Sequence, residues 1–229
     1  MSHPDSSRAF SLSSFGEEIY LFSANAAGSL TGYMHGFEFG AAENGVSFGR
    51  WVTSDGEEHF TAQLALTFSE PNAGPRVGPI VISEIMHTPP DNLGADATDM
   101  EFIELQNNSD KWVPLFDVSH PENTWRLRNG IQYDFPPNTL LDAGARILLV
   151  RFDPVNQPQV LNRFREHYQI ENFTSIYGPY SGKLNNSGDE IVLKKPDAPQ
   201  IDPDQNIGKV PYMTVDAVSY DVGTPWPES

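Results

Sequence analysis

Two short apolar segments, residues 80–86 and 100–106, give the clearest hydrophobic pattern in the chain. Both are rich in β-branched or aromatic residues and are bounded by turn residues, which predicts strands rather than helices. In the second segment neither face is cleanly polar, because Phe102 lies on one face and Ile103 on the other. We therefore expect this strand to lie inside a sheet with neighbours on both sides. The first segment is apolar nearly throughout, as a central strand can be, so the two strands are predicted to form the centre of a β-sandwich.

The rest of the chain alternates short apolar segments with turn residues. The Asn129-Gly130 pair predicts a hairpin between residues 123–128 and 131–135. One segment has helical periodicity instead, because Val160, Leu161, Phe164 and Tyr168 fall on one face of a predicted helix over residues 158–168. The chain is thus predicted to be all-β with one short helix. The other predicted strands are residues 19–22, 33–39, 46–52, 60–68, 112–115, 146–150, 190–193 and 215–220.

The sequence also predicts more than one structural unit. Proline and glycine are concentrated at residues 71–79, which is typical of a stiff linker and places a domain boundary there. Residues 12–21 align without gaps on residues 184–193, and each copy has a glycine turn, acidic residues and then an apolar strand. We interpret this as an internal repeat, with coincidence between two hairpins as the alternative. The predicted organisation is a flexible start at 1–8, the C-terminal half of a first repeat at 9–52, a strand and Pro/Gly linker at 53–78, and a nearly complete second copy at 79–229.

The chain resembles the lamin-tail domain as found in bacterial secreted proteins. The resemblance rests on four segments in order: residues 82–86, residues 101–107, the strand Trp125-Arg126-Leu127, and residues 184–193. It covers residues 79–229 and, more weakly, residues 9–52. It implies an immunoglobulin-like β-sandwich that serves as an accessory module beside hydrolases, nucleases or kinases and has no catalytic residues of its own. The strand that usually closes the family's fold is missing from the C-terminus of this sequence. We therefore expect a sandwich that lacks this strand and a chain that is part of a longer array.

Composition narrows the classes of partner. The 229 residues carry 31 acidic and 14 basic side chains, for a net charge of -17. This charge repels phosphate backbones and anionic lipid surfaces, so we expect no nucleic-acid binding and no membrane insertion. The absence of cysteine excludes disulfides, thiolate metal sites and cysteine nucleophiles. The first residues do not resemble a signal peptide, and no segment approaches the roughly 20 apolar residues of a membrane span.

One short motif suggests hydrolase chemistry. Residues 45–49 match the G-x-S-x-G pattern, with Ser47 in the nucleophile position. That pattern works on a strand-to-helix turn of an α/β sheet. Here no helix follows, because Arg50, Trp51 and Val52 continue the predicted strand over residues 46–52, so we do not expect Ser47 to be a nucleophile.

Metal sites and cofactors are not predicted. The histidines show no paired spacing, and each is expected to be a surface or partly packed residue. An acidic loop offers a conceivable weak calcium site, because calcium prefers several flexible oxygen ligands. A second acidic loop has EF-hand-like alternation, but its glycine falls one position late and Met213 stands where a glutamate should close the loop. For both loops we expect solvated acidic surface. The histidines are His3, His35, His59, His87, His120 and His167; the loops contain Asp91, Asp96, Asp99 and Glu101, and Asp202, Asp204, Asn206 and Gly208.

Two further groups of residues carry alternative functions. Glu101 with Glu104, and Asp189 with Glu190, are conceivable glycosidase pairs, but the members of each pair differ in parity along a strand and point to opposite faces. Four tryptophans raise the idea of sugar stacking. Trp125 alternates with Arg126 and is expected in the core, whereas Trp112 and Trp226 adjoin proline and polar residues and are candidates for exposure. Trp51 is the fourth.

The sequence favours a non-catalytic interaction or anchoring module of a larger exported protein. The expected location is extracellular or in the cell envelope. The expected partner is a protein or a cell surface, with strand pairing to a neighbouring repeat or chain. A carbohydrate-binding module stabilised by calcium is the alternative, and a hydrolase is the lesser one. No catalytic, cofactor or metal residues are assigned.

Overall fold

The computed structural model describes residues 12–54, 56–90, 97–201 and 206–221. The predicted flexible start at residues 1–8, the aspartates of both acidic loops apart from Asp99, and Trp226 lie outside these residues. The chain divides into two compact units, Met1–Arg76 with Pro211–Met213, and Val77–Val210 with Thr214–Ser229. The division falls within the Pro/Gly segment at residues 71–79.

The first unit contains two antiparallel hairpins. Strands β1 (Gly16–Ala24) and β2 (Leu30–Gly40) form one, and β3 (Phe48–Val52) and β4 (Glu58–Ala62) form the other. Phenylalanine side chains join the hairpins, because Phe37 stacks on Phe60 with ring centroids 4.9 Å apart and Phe39 lies against Phe48 at 5.5 Å. These rings are only half-buried. The described part of this unit therefore has an aromatic contact layer rather than a closed core.

The second unit is an immunoglobulin-like β-sandwich. One sheet has four strands in the order β12-β11-β6-β5, and the other has five in the order β13-β9-β8-β14-β15. A small two-stranded sheet joins β7 and β10. The strands are β5 (Ile80–Met86), β6 (Phe102–Asn107), β7 (Val113–Pro114), β8 (Arg126–Asn129), β9 (Ile131–Asp134), β10 (Leu140–Leu141), β11 (Arg146–Val150), β12 (Ser175–Tyr177), β13 (Ser181–Gly182), β14 (Gly188–Pro196) and β15 (Tyr212–Asp221), of which most belongs to this unit.

Strand β6 is one of the two inner strands of the four-stranded sheet, as predicted for its position. It pairs antiparallel with β5 on one side and with β11 on the other. Ile103 and Leu105 are fully buried in the core between the two sheets, where they meet Leu127 of β8 and Leu193 of β14. Side chains that alternate along a strand point to opposite faces. Phe102, which lies on the opposite face of β6, must therefore be covered by something else.

The single α-helix in the described residues supplies that cover. Helix α1 (Pro158–Tyr168) has the predicted bounds and begins with a proline, which is favourable at the first helical position. Its Phe164 is fully buried against Phe102 of β6 and Leu148 of β11, on the outer face of the four-stranded sheet. Tyr168 adds a hydrogen bond of 2.8 Å from its hydroxyl to the Met100 carbonyl. The two faces of β6 are thus buried in two different clusters.

The prediction that β5 is a central strand is wrong, because β5 forms the edge of its sheet. A register shift between Ile82 and Glu84 changes which side chains face the core. Ile80 and Ile82 point inward before the shift, and Ile85, which lies opposite Ile103, does so after it. The Asp216 carboxylate of β15 accepts a hydrogen bond of 2.8 Å from the Ile82 N–H on the outer edge. An irregular, side-chain-capped edge of this kind resists pairing with other chains.

The predicted strand over residues 60–68 is also too long. Strand β4 ends at Ala62, and Leu64, Leu66 and Phe68 are exposed. The buried Gln63 side chain ends the strand pattern, because its amide donates to the Gly49 carbonyl at 3.1 Å and accepts from the Gly74 N–H at 3.0 Å. The Pro/Gly segment therefore folds back beside β4 rather than extending away from it.

Most of the remaining elements agree with the sequence pattern. The Asn129-Gly130 turn joins β8 and β9 as an antiparallel hairpin, and Trp125 is buried in the core. One parallel pair, β11 with β12, was not expected and involves three residue pairs. Within the described residues, no helix has the length and apolar character needed to cross a bilayer.

We expect helix α1 to be held chiefly by Phe164. Changing Phe164 to Ala removes a fully buried ring from the outer cluster and should lower the free energy of unfolding by about 3–5 kcal/mol. Urea denaturation measures this change. Phe173→Ala is the matched control, because that ring is exposed, and it should change stability by less than about 0.5 kcal/mol. Equal effects of the two substitutions would contradict the packing described for α1.

Candidate functional site

An open depression surrounds Trp112 at one end of the sandwich. It has a volume of about 610 Å³ and is lined by Asp110, Lys111, Trp112, Asp142 and Ala143. The indole of Trp112 is largely exposed. A flat aromatic ring between two carboxylates and an ammonium group can stack on an apolar face of a ligand while the charged groups contact its polar edge. This is the candidate binding surface of the second unit.

The two walls of this depression are tied together by Asn107, the last residue of β6. Its side chain is fully buried. The amide nitrogen lies 2.7 Å from the Lys111 carbonyl oxygen and 3.0 Å and 2.9 Å from those of Leu141 and Asp142. The amide oxygen accepts hydrogen bonds from the N–H and the hydroxyl of Ser109. A buried amide with all its groups satisfied rigidifies the loops that it connects.

Sequence reasoning did not identify Asn107 as important. Asn107 and Asn108 look alike in the sequence, and only the structure shows that the first is buried and the second exposed. The parity of β6 contains a usable signal, because Asn107 continues the inward series of Ile103 and Leu105. A polar residue at an inward position indicates a hydrogen-bonded network.

A second polar group, Glu101, is buried at the other end of β6. Tyr180 donates its hydroxyl to the Glu101 carboxylate at 3.1 Å. Burial raises the pKa of the Glu101 carboxyl, and the hydrogen bond from Tyr180 and the charge of Arg151 oppose this rise. Burial also raises the pKa of the Tyr180 hydroxyl. Glu101 is therefore an internal partner of Tyr180 rather than a surface ligand.

Both described acidic residues of the first loop make contacts with other side chains of the protein. Asp99 accepts a hydrogen bond of 3.0 Å from the Arg163 guanidinium of α1, and Glu101 faces Tyr180. Asp91 and Asp96 lie outside the described residues, as do Asp202 and Asp204 of the second loop. In the parts of the chain that the structure describes, no cluster of three or more histidines and carboxylates has the arrangement of a metal site. The calcium hypothesis stays a prediction.

Ser47 lies in the segment between the Asn44-Gly45 turn and β3. Strand β3 begins at Phe48, two residues later than predicted, and Ser47 precedes it. The Ser47 carbonyl accepts a hydrogen bond from the Gln63 N–H at 2.8 Å, which makes this residue part of the hairpin backbone. Strand β4 follows β3 along the chain, and the helix that a nucleophile elbow needs does not follow.

The described histidines are dispersed, each with a different neighbour. His35 lies 3.2 Å from Glu58, whose pKa is lowered to about 2 by hydrogen bonds from Arg50 and His35. His87 stacks on Tyr220 with ring centroids 4.6 Å apart, and burial lowers its pKa. The remaining contacts are His59 with Glu57, His120 with Asp117, and His167 with Tyr168. His3 lies outside the described residues.

The carboxylate pairs considered above are engaged in separate contacts. Glu104 lies 3.1 Å from the guanidinium of Arg146 and accepts from the Ser83 hydroxyl at 2.7 Å, whereas Glu101 is buried with Tyr180. Glu190 accepts a hydrogen bond from the Asn129 amide.

Among the tryptophans, the ring of Trp51 lies over Gly74.

The buried amide of Asn107 gives a sharp test. Asn107→Asp keeps the shape but replaces the two N–H donors with an oxygen that faces three carbonyl oxygens. We expect the free energy of unfolding to fall by at least about 3 kcal/mol in urea denaturation at neutral pH. Asn108→Asp is the matched control, since it makes the same charge change at the exposed neighbour. A loss at position 107 no larger than at position 108 would contradict the assigned network.

The Glu101–Tyr180 contact predicts a pH dependence. Because the pKa of folded Glu101 is raised, its contribution favours folding most below the unfolded pKa and is lost as the pH rises through the folded pKa. Tyr180→Phe removes a donor that favours the carboxylate, so the pKa of Glu101 should rise further. The variant should therefore be destabilised more at pH 7 than at pH 4. NMR titration of the Glu101 carboxyl carbon measures the pKa, with exposed Glu166 as the internal reference. A lower pKa in the variant would contradict the geometry.

Comparison with known proteins identifies the family of this chain. A solved structure of a DUF4876 family protein from Bacteroides thetaiotaomicron is 14% identical to this chain, with 95% of this chain and 76% of that chain covered and a TM-score of 0.37. No curated protein matches the chain. The family model described as Lamin Tail Domain matches residues 74–208. The matched segment is more than half of the chain, includes every strand of both sheets except β15, and contains Asn107 and Trp112. The protein therefore belongs to the lamin tail domain family.

Proposed function

We propose that this chain is a non-catalytic interaction or anchoring module of a larger exported protein, with a protein or a cell surface as its partner. The lamin-tail fold fits a non-catalytic module. The resemblance to lamin-tail domains of bacterial secreted proteins supports an extracellular or envelope location. Apolar side chains fill the sandwich interior, so the module would contact its partner through its surface.

The observation that carries the proposal is the exposed apolar surface of the β1–β2 hairpin. Large apolar side chains stand in solvent on both faces of these two strands. Contiguous apolar surface of this kind marks interaction sites rather than ordinary monomer surface. The exposed residues are Ile19, Tyr20, Leu21, Phe22, Leu30, Tyr33 and Met34.

The charge of the chain supports a partner that is neutral or basic. A net charge of -17 disfavours contact with nucleic acids and anionic lipids. It also favours fast association with a basic protein surface at low salt. Anchoring to a protein with basic patches therefore agrees with both the apolar hairpin and the acidic composition.

The intact chain should bind without catalysing a reaction. We expect saturable binding of labelled chain to an immobilised envelope-protein fraction, competed by unlabelled chain. We expect no turnover of chromogenic ester, phosphate and glycoside substrates above the buffer rate. Turnover that is lost in Ser47→Ala, or envelope binding that does not saturate, would overturn the proposal.

A carbohydrate-binding role is the second candidate, and one observation favours it. Trp112 presents an exposed ring beside Asp110 and Asp142 in the open depression. Aromatic rings at such positions can stack on the apolar faces of sugars. This role places the ligand on the second unit rather than on the β1–β2 hairpin, so the two candidate functions are separable.

A polysaccharide panel decides the second candidate. If it is correct, calorimetric titration should show binding that Trp112→Ala reduces by at least about tenfold, which is 1.4 kcal/mol or more. Trp51→Ala is the control, because that indole lies over Gly74 in the first unit. Flat titrations over the whole panel, or equal losses in the two variants, would remove the carbohydrate role.

A further inference from the structure

The turns that lead into β1 and β14 have the same local geometry. The side chain of Ser13 in the first, and of Asn185 in the second, accepts a hydrogen bond from the N–H two residues further on, at 3.1 Å and 2.9 Å. Gly16 and Gly188 then donate their N–H groups to the carbonyls of these same two residues, at 3.2 Å in both cases. Both glycines have positive φ, +97° and +114°, which side chains rarely adopt.

Each glycine also lies close to the end of the following strand. A Cβ at Gly16 would approach the Phe39 carbonyl oxygen to 2.4 Å, and one at Gly188 would approach that of Tyr220 to 2.8 Å. The hairpins β1–β2 and β14–β15 therefore correspond residue for residue from the glycine onward. On this basis Ile19, Tyr20 and Leu21 of β1 correspond to Ile191, Val192 and Leu193 of β14.

The corresponding residues differ sharply in burial. Ile19 is 45% exposed and Leu21 is 68% exposed, whereas Ile191 and Leu193 are fully buried in the core of the sandwich. The corresponding face of the hairpin is therefore apolar in both units. In the second unit the opposite sheet covers that face.

The two strands also differ in their neighbours. β14 lies between β15 and β8, and its residues Val192 and Leu193 pair with Arg128 and Leu127. Within the described residues, β1 pairs with β2 alone. In the part of the chain that the structure describes, no strand pairs with the edge of β1 that corresponds to the β8-facing edge of β14, and a strand edge of this kind can accept a further strand.

Strand β8 occupies the corresponding position in the second unit, and its residues indicate which side chains fit beside such an edge. In β8, Leu127 is apolar and buried, and it stands between two arginines. Glu190, which precedes the residue opposite the β8 end, is acidic and accepts a hydrogen bond from the Asn129 amide. β1 has the acidic residues Glu17 and Glu18 at the matching end, and both are exposed. β1 itself contains no basic residue, so a second copy of β1 would offer no opposite charge to Glu17 and Glu18.

We propose that the open edge of β1 and the face carrying Ile19 and Leu21 bind an extended strand with alternating basic and apolar side chains, in the register in which β8 pairs with β14. We call this surface the β1 dock. Strand binding at the β1 dock rests on the interaction role proposed above and is a specific form of it. The partner strand adds to the sheet through backbone hydrogen bonds, and its apolar side chains cover the exposed face.

A peptide provides a direct probe. A synthetic peptide with the sequence of residues 123–130, capped at both ends, carries the Arg-Leu-Arg pattern of β8. Titrated into the ¹⁵N-labelled intact chain, it should bind with a Kd of about 1 mM or tighter. It should shift the amides of Ile19, Tyr20, Leu21 and Phe22, and slow their hydrogen exchange. A peptide with glutamate in place of both arginines should bind at least about tenfold more weakly.

Variants locate the site. Leu21→Glu should weaken peptide binding at least about tenfold, whereas Leu64→Glu should leave it unchanged. Leu64 is the matched control, because it is 64% exposed in the same unit and lies outside the strands. Circular dichroism checks that both variants fold.

Three results would overturn the β1 dock. They are the absence of peptide binding, binding that Leu21→Glu does not weaken, and concentration-dependent protection of β1 in the chain alone, which would make a second copy the occupant. A fourth result, envelope binding that persists unchanged in Leu21→Glu, would also overturn the β1 dock but would leave the proposed function standing. Peptide binding at β1 without any envelope binding would do the reverse.

Discussion

The burial of both faces of β6 is the constraint on which the sandwich depends. Ile103 and Leu105 fill the core between the sheets, and Phe102 packs under α1 on the other side. A strand with two apolar faces cannot be left at a surface, because either face would then expose several large side chains. The helix and the second sheet are both required by this one segment, and the polar ends of β6, Glu101 and Asn107, are buried and hydrogen-bonded in consequence.

Much of this arrangement could be predicted from local pattern. The two apolar faces of β6 indicated an inner strand, and the spacing of Val160, Phe164 and Tyr168 indicated the bounds of α1. The Asn129-Gly130 turn indicated the β8–β9 hairpin. These signals succeed because each depends on side chains a few residues apart, where period and turn chemistry determine the structure.

The predictions that were wrong have a common physical origin, because they depend on contacts between residues that are distant in the sequence. The edge position of β5 depends on a register shift and on Asp216 of β15. The early end of β4 depends on Gln63 binding Gly74. Neither of these contacts produces a periodic pattern in the sequence of β5 or β4. The candidate site at Trp112 has the same origin, since its walls meet only because Asn107 bonds the backbone of both.

The central claim is that β6 belongs to two cores at once. Native-state hydrogen exchange tests it most directly, because amides in the most stable part of a structure exchange only through global unfolding. We predict that the amides of Ile103 and Leu105 exchange with the free energy of global unfolding of the sandwich, and that those of the two-residue strands β7 and β10 exchange far faster. Exchange of the β6 amides as fast as that of β7 and β10 would contradict the account.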